Sequence, residues 1–260
     1  MKVVALAVSL IVLSALFALL ERTAASVPRR SIFRRERLTD FLWWFFTPTI
    51  TRIAGAVGLV IAIGAVTLGV RAIGAEVPSP AWFRSQNAAL QIIELLVAAD
   101  LLAYWSHRMF HRGALWRIHA VHHSSTDLDW LAAARVHPLN EVLSRAMQIV
   151  PLYLLGFRGE ALAALVPVLT LYAIFVHANL RWDFGPLRYV IASPVFHRWH
   201  HTSQEEGLDK NFAGLFPWID IVFGTFYMPR DRQPERFGLS GQTMPASMLG
   251  QLAYPFRRIR

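Results

Sequence analysis

Residues 88–123 read AALQIIELLVAADLLAYWSHRMFHRGALWRIHAVHH, an apolar run that passes directly into five histidines. The apolar part, Ala88 to Trp105, is long enough to cross the hydrocarbon core of a bilayer as a helix. Histidines three and four residues apart lie on one face of a helix, where their rings can meet at a single point. The stretch therefore predicts a membrane-spanning helix that ends in metal ligands.

All ten histidines of the chain fall between positions 107 and 201. Eight of them form clusters with the spacings HxxxH, HxxHH and HxxHH: His107 and His111; His119, His122 and His123; His197, His200 and His201. A single catalytic zinc ion needs three protein ligands and a water. Eight or nine imidazoles are enough for two metal ions with open positions, so a dinuclear site is expected. Imidazole suits iron, zinc, copper and nickel alike.

The composition is that of an integral membrane protein, with 55% apolar and 17% charged residues. The absence of cysteine excludes disulfides, zinc–thiolate sites, iron–sulfur clusters and thiolate-ligated haem within the chain. The formal net charge is +9. Because the basic residues lie between and after apolar stretches, anionic lipid headgroups explain them, and no nucleic-acid partner is expected.

Two further apolar runs, Val3 to Leu20 and Ile53 to Val70, are predicted to span the bilayer. The second offers small faces for helix packing at Gly55, Gly58, Gly64 and Gly69. The loop between the runs is expected to be cytoplasmic because it carries Arg22, Arg29, Arg30, Arg34, Arg35 and Arg37. Small residues at 23–26 leave open that the first run is a cleaved signal peptide. The sparsely charged loop from Arg71 to Asn87 is expected on the other side.

Leu139 to Phe157 and Glu160 to Leu180 form an apolar hairpin that either spans the bilayer or enters it partway. In both cases the chain returns to the side it left. All three histidine clusters are therefore expected on the cytoplasmic side of a multi-pass, all-α bundle, in a helical cap. The predicted units are N-terminal helices and basic loop, 1–87; catalytic domain, 88–228; and basic tail, 229–260.

The ordered motifs resemble those of the fatty acid hydroxylase and sterol desaturase superfamily. Besides the histidine clusters, the shared segments are Asp100–Arg108, Ala134–Leu139, Asp209–Gly214 and Trp218–Thr225. The resemblance implies two iron ions, molecular oxygen as oxidant, electrons from a separate redox protein, and hydroxylation or desaturation of a lipid such as a sterol, fatty acyl chain or alkylglycerol. The short HxxxH spacing gives weight to the sterol-desaturase-like branch. Zinc in purified protein would be compatible with this expectation, because the metal affinity of imidazole alone does not exclude zinc.

The same resemblance implies which residues hold the metals. The eight clustered histidines are the implied ligands, and His177 is an implied additional ligand, the alternative being a hydrogen bond from His177 to a ligand. His137 precedes Pro138, so a hydrogen bond to a ligand or a place at the start of a helix is expected for it instead.

Asp100 is a candidate catalytic residue because an ionisable side chain inside an apolar span is costly. Asp100, Tyr104, His107 and His111 are spaced as one stripe of a helix. Three roles are open for Asp100: orienting His107, relaying protons, or pairing with an arginine.

Four polar residues beyond the hairpin are candidates for hydrogen bonds to ligand rings, with Asn179 also a catalytic candidate: Asn179, Asp209, Asn211 and Asp220. For Asp209 and Asn211 the alternative is a simple turn after the last cluster.

Two other functions are compatible with clustered histidines. A membrane zinc hydrolase would carry a glutamate within a cluster, as in HExxH, and none does. A metal transporter would distribute histidines and acids along the bilayer midplane, whereas here they gather at one level. A lipid oxygenase is therefore expected, with its substrate entering sideways from the bilayer through an apolar cavity.

Overall fold

The fold was examined in a computed structural model, which describes residues 2–28, 36–77, 80, 83, 85–157 and 159–257, with only the backbone for residues 2 and 159–165. Within these ranges there are helices and two isolated bridges but no strand, which confirms the predicted all-α class. The helices are α1 Lys2–Ala24, α2 Arg37–Phe46, α3 Arg52–Ala72, α4 Ala88–Phe110, α5 Gly113–His119, α6 Pro138–Leu154, α7 Gly159–His177, α8 Pro194–His200, α9 Pro217–Val222 and α10 Met248–Ala253.

Three predicted features fall partly outside the described residues. Most of the basic loop lies outside the described residues, including Arg29, Arg30, Arg34 and Arg35. Part of the loop from 71 to 87 and the last three residues of the tail also lie outside them.

Among the described residues, three helices are long and apolar enough to span a membrane: Val3–Ala24, Arg37–Ala72 and Ala88–Phe110. The second is longer than predicted, because α2 and α3 join through a π-helical turn at Thr47–Thr51. The predicted run from Ile53 to Val70 is thus only its second half. In the hairpin, α6 has 17 residues and α7 has 19, and whether they span the bilayer fully stays a prediction.

Helix α6 packs closely along α3, and glycines allow the contact. A Cβ at Gly55 would lie 2.5 Å from Glu141 Cγ, and one at Gly58 would lie 2.7 Å from Val142 Cγ1. Gly64 has nothing within 4 Å of such an atom, and neither does Gly69. Two of the four predicted small faces are therefore used in helix packing.

Helix α1 belongs to the folded core. Phe17 stacks on Trp130 with ring centroids 5.4 Å apart, and Trp44 meets the same ring edge-on at 5.6 Å. The Arg181 backbone N–H donates to the Ala24 carbonyl at 2.8 Å. These contacts tie the C-terminal part of α1 to the segments around Trp130 and Arg181, and cleavage of the first run stays an open prediction.

The C-terminal segment folds back onto the bundle as far as residue 257. Trp43 Nε1 donates to Gln251 Oε1 at 2.7 Å, a buried contact. The His137 ring nitrogen Nε2 lies 3.1 Å from the Leu252 carbonyl oxygen. The predicted basic tail therefore closes around α2 and the start of α6.

Candidate metal centre

Nine histidines converge in two adjoining groups beyond the end of α4. Group A consists of His107, His111, His119, His123 and His200, and group B of His122, His177, His197 and His201. In each group the ligand nitrogens all lie within 4.8 Å of one another. The rings of His123 and His201 stack at 4.3 Å and so join the two groups. The groups contain all eight clustered histidines and His177.

Short helices and their ends place these rings. His107 and His111 lie one turn apart at the end of α4, and His177 is the last residue of α7. Helix α8 begins at Pro194, where Ser193 Oγ accepts a hydrogen bond from the Phe196 N–H at 3.2 Å. Its seven residues carry two histidines of the third cluster into the space between α4 and α7.

Backbone carbonyl groups fix the tautomers of four rings. Each Nδ1 faces a carbonyl oxygen, in the pairs His107 with Phe212 at 2.9 Å, His122 with Arg135 at 3.2 Å, His177 with Ala173 at 2.6 Å and His200 with Lys210 at 2.8 Å. A carbonyl oxygen can only accept, so each Nδ1 carries the proton. Each Nε2 is therefore left with a lone pair.

These lone pairs meet one another at short distances. His122 Nε2 and His177 Nε2 are 3.2 Å apart, and both tautomers are fixed by carbonyls. In group A, the Nε2 atoms of His111 and His200 are buried without a hydrogen-bond partner. Lone pairs facing each other in a buried space repel unless a cation lies between them. The donor set therefore fits metal ions.

The electrostatic environment also keeps the rings in the ligating form. Burial lowers the pKa of six histidines well below the usual value, and neighbouring rings lower it further: His119, His122, His123, His197, His200 and His201. Metal binding needs neutral imidazole. The site is thus neutral and ready to bind near neutral pH.

Two side chains orient rings of group A. Asp209 Oδ1 accepts from His111 Nδ1 at 3.0 Å, so the predicted contact between Asp209 and a histidine ring is present. Asn140 Oδ1 lies 2.9 Å from His119 Nδ1. Asn140 is not among the predicted site residues, and its signal in the sequence is its position just after the Ala134–Leu139 segment.

Asp100 lies elsewhere than predicted. Its carboxylate accepts hydrogen bonds from the backbone N–H groups of Gly214, Leu215 and Phe216 at 2.8–3.1 Å. Of the three roles left open for Asp100, orienting His107 and pairing with an arginine are contradicted, because backbone N–H groups of this turn bind both carboxylate oxygens. A proton relay through Asp100 stays a prediction. A Cβ at Gly214 would lie only 3.1 Å from Asp100 Oδ1. Asp100 therefore positions the segment whose Phe212 carbonyl holds His107.

Asp220 holds the same segment from its other end. It accepts from the backbone N–H groups of Phe212 at 2.7 Å and Ala213 at 2.9 Å, and from Thr225 Oγ1 at 2.7 Å. The predicted hydrogen bond from Asp220 to a ligand ring is wrong for this reason. Together with Asp100, it fixes the backbone at Phe212.

The predicted contacts of Asn179 and Asn211 with ligand rings are also wrong. Asn179 pairs with the backbone of Val27, accepting at 3.0 Å and donating at 2.9 Å, and so ties α1 to the residues after His177. Asn211 bonds only backbone groups, among them Tyr227, and has a φ of 58°, a conformation that asparagine tolerates. The alternative of a turn fits Asp209, which lies in the turn at 208–209 with a φ of 55°, whereas Asn211 holds the backbone that follows it.

His137 begins a helix, one of the two roles expected for it. Its Nδ1 accepts from the Leu139 N–H at 3.1 Å and caps α6, and it belongs to neither group of histidines. Arg135, two residues earlier, is fully buried and is not among the predicted site residues. Its carbonyl holds His122, and its guanidinium pairs with Asp40 and, at 2.9 Å, with Glu36.

Comparison with known proteins agrees with this geometry. The fatty acid hydroxylase family model matches residues 92–225. The chain is 30% identical to ornithine lipid hydroxylase OlsE of Rhizobium tropici over 225 residues, which is 86% of this chain and 67% of that protein. It is 34% identical to alkylglycerol monooxygenase of Danio rerio, over 52% of this chain and 30% of that protein. It is 29% identical to very-long-chain aldehyde decarbonylase GL1-7 of Oryza sativa subsp. japonica, over 60% of this chain and 26% of that protein.

The chain thus spans about two thirds of the first relative and less than a third of the other two. No solved structure matches it. The family match covers α4 through α9 and includes every histidine of both groups. The chain belongs to the fatty acid hydroxylase family.

Proposed function

We propose that this protein is a membrane enzyme that hydroxylates a lipid with two iron ions and molecular oxygen. The observation that carries the proposal is the convergence of nine imidazoles into groups A and B, with lone pairs directed inward. Five rings would hold one ion and four the other. Neither group includes a glutamate within the described residues, which disfavours a zinc hydrolase.

Iron bound there would supply activation of molecular oxygen and attack on an unactivated C–H bond. The chain itself orients the rings through fixed carbonyls and excludes water from buried nitrogens. In hydroxylation, one oxygen atom enters the lipid and the other leaves as water, which consumes two electrons and two protons. A separate electron-transfer protein would deliver the electrons.

The names of the relatives support a lipid with a polar headgroup. One relative is an ornithine lipid hydroxylase, and another is an alkylglycerol monooxygenase. Both names denote oxygen insertion, so hydroxylation is favoured over desaturation. For the same reason, we no longer favour the sterol-desaturase-like branch that the HxxxH spacing suggested. The apolar helices α1, α3 and α4 would bring the centre to the bilayer in which such a lipid dissolves.

The centre would face the cytoplasm, because the arginines between the first two apolar runs favour that side. Both groups lie at the end of α4 that carries His107 and His111. The predicted apolar passage from the bilayer to the centre stays part of the proposal.

Lipid mass spectrometry tests the function. Cells that express the wild-type chain should accumulate a lipid heavier by one oxygen atom, and growth under heavy-isotope oxygen gas should label that atom. Cells that express His123→Ala should lack the product. A lipid profile identical in both cells would contradict the proposal, and loss of two hydrogen atoms would replace hydroxylation by desaturation.

A further inference from the structure

A small cavity opens beside group A and is lined by unusually many charged side chains. Its volume is about 180 Å³, and its lining residues are Arg108, His111, Arg112, Asp209, Lys210, Phe212, Gly224 and Thr225. His111 belongs to group A, so the cavity reaches a candidate metal ligand directly.

The charges around this cavity are unbalanced. The lining includes three cations, Arg108, Arg112 and Lys210, and one carboxylate, that of Asp209. The buried carboxylate of Asp220, which does not line the cavity, also interacts with Arg108. Positive charge still exceeds negative charge, and an anion that enters would gain charge-assisted hydrogen bonds from arginine.

One rim of the cavity is apolar and exposed. The Arg108 guanidinium lies 5.6 Å from the centroid of the Trp105 ring, and Trp105 contacts Phe223 at 5.0 Å. The exposed fractions are 43% for Trp105, 49% for Met109 and 37% for Phe223. Trp105 and Met109 belong to the exposed face of α4, a candidate membrane span, and Phe223 follows α9. Aromatic rings beside cations at the end of a span are typical of the lipid headgroup level.

We propose that this cavity binds the anionic headgroup, a phosphate or carboxylate, of the lipid on which the enzyme acts. This inference rests on the proposed function, since it names the class of substrate. The cavity has room for one small anionic group, and its apolar rim would face the acyl chains. Because His111 lines the cavity, the oxidised carbon would lie close to the headgroup and far from the methyl end of a chain.

Lipid retention by the full-length protein in neutral detergent tests the proposal without any turnover. Native mass spectrometry would follow titration with dioleoylphosphatidylglycerol and, separately, with dioleoylphosphatidylcholine. The variant R112Q/K210Q removes two cations of the cavity, whereas R230Q removes an exposed arginine that does not line it. We expect the wild type and R230Q to prefer phosphatidylglycerol, and R112Q/K210Q to bind it about tenfold more weakly.

Three results would overturn the proposal. The first is equal retention of phosphatidylglycerol by wild type and R112Q/K210Q. The second is displacement by inorganic phosphate at the concentration of the lipid itself, which would indicate a site for a free anion. The third is that R112Q/K210Q still retains the lipid but no longer binds an acidic electron-transfer protein, which would assign the cations to that partner. Preferential retention without lipid oxidation in cells would instead contradict the proposed function and leave the headgroup site standing.

Discussion

Individual imidazole rings at this centre are oriented mainly by backbone carbonyl groups. Phe212, Arg135, Ala173 and Lys210 each provide a carbonyl oxygen for one ring. A backbone carbonyl cannot be removed by a side-chain substitution. The orientation of these histidine rings therefore depends on how the backbone segments that contain the carbonyls are held in place. Among the described residues, His111 and His119 have side-chain partners instead, Asp209 and Asn140.

Asp209→Ala should weaken the metal centre through His111. Hydrogen-bond partners of ligating histidines contribute about 10–100-fold to metal affinity or activity, and Asp209 is the partner of His111 Nδ1. We expect Asp209→Ala to lose its metal at a chelator concentration about 10–100-fold lower than the wild type does. Asp209→Asn keeps a hydrogen-bond acceptor and should partly restore metal retention. Glu205→Gln, an exposed carboxylate four residues earlier, is the control. Equal metal retention in all variants would refute this role.

Single histidine replacements should abolish activity but not membrane insertion. His122→Ala, His123→Ala, His200→Ala and His201→Ala each remove one ring of group A or B, a proposed metal ligand. The apolar helices do not depend on the metals for their backbone hydrogen bonds. We expect wild-type amounts in the membrane fraction and no oxidised lipid. Full activity in two of the four variants would show that these rings are not ligands.

At the scale of elements, α4 presents one stripe of side chains to the segment 209–225. Asp100 binds the turn at 214–216, Tyr104 lies 2.9 Å from Thr225 Oγ1, and His107 and His111 enter group A. The helical spacing predicted the stripe but not its partners, because Asp100 and Gly214 are 114 positions apart. Short periodic motifs such as the histidine clusters could be predicted, whereas contacts between distant segments, including those of Asn140 and Asn211, could not.

Asp40→Asn should destabilise the contact between α2 and the segment that carries Arg135. The side chains of Asp40 and Arg135 are 0% and 1% exposed. Asp40→Asn removes the fully buried carboxylate of the pair and leaves Arg135 with Glu36 as its anionic partner. The cost should therefore lie between about 1 kcal/mol, the upper value for an exposed pair, and about 3 kcal/mol, the value for an uncompensated buried charge. We expect a lower unfolding temperature in detergent and weaker metal binding through His122.

Glu206→Gln is the matched control for this pair. Glu206 pairs with Arg232, and their side chains are 34% and 52% exposed. Such surface pairs contribute at most about 1 kcal/mol. If both variants unfold at the same temperature, the buried pair does not hold α2 in place.

At the scale of the whole molecule, apolar helices carry a polar centre to one end of the bundle. Three candidate spans provide the membrane anchor, and α5 to α9 assemble around the end of α4. The C-terminal segment packs back onto α2 through Gln251. This arrangement places buried, neutral imidazoles beside a surface with both cations and apolar rings, as a lipid oxygenase would need.

Metal stoichiometry of the purified full-length chain, loaded with iron and measured by elemental mass spectrometry against protein concentration, tests the central claim most directly. Wild type should hold two metal ions per chain, because groups A and B each provide enough ligands for one. The identity of the metal matters less than the count, since zinc can occupy the same nitrogens. A single ion per chain would contradict the dinuclear centre and, with it, the proposed oxygenase.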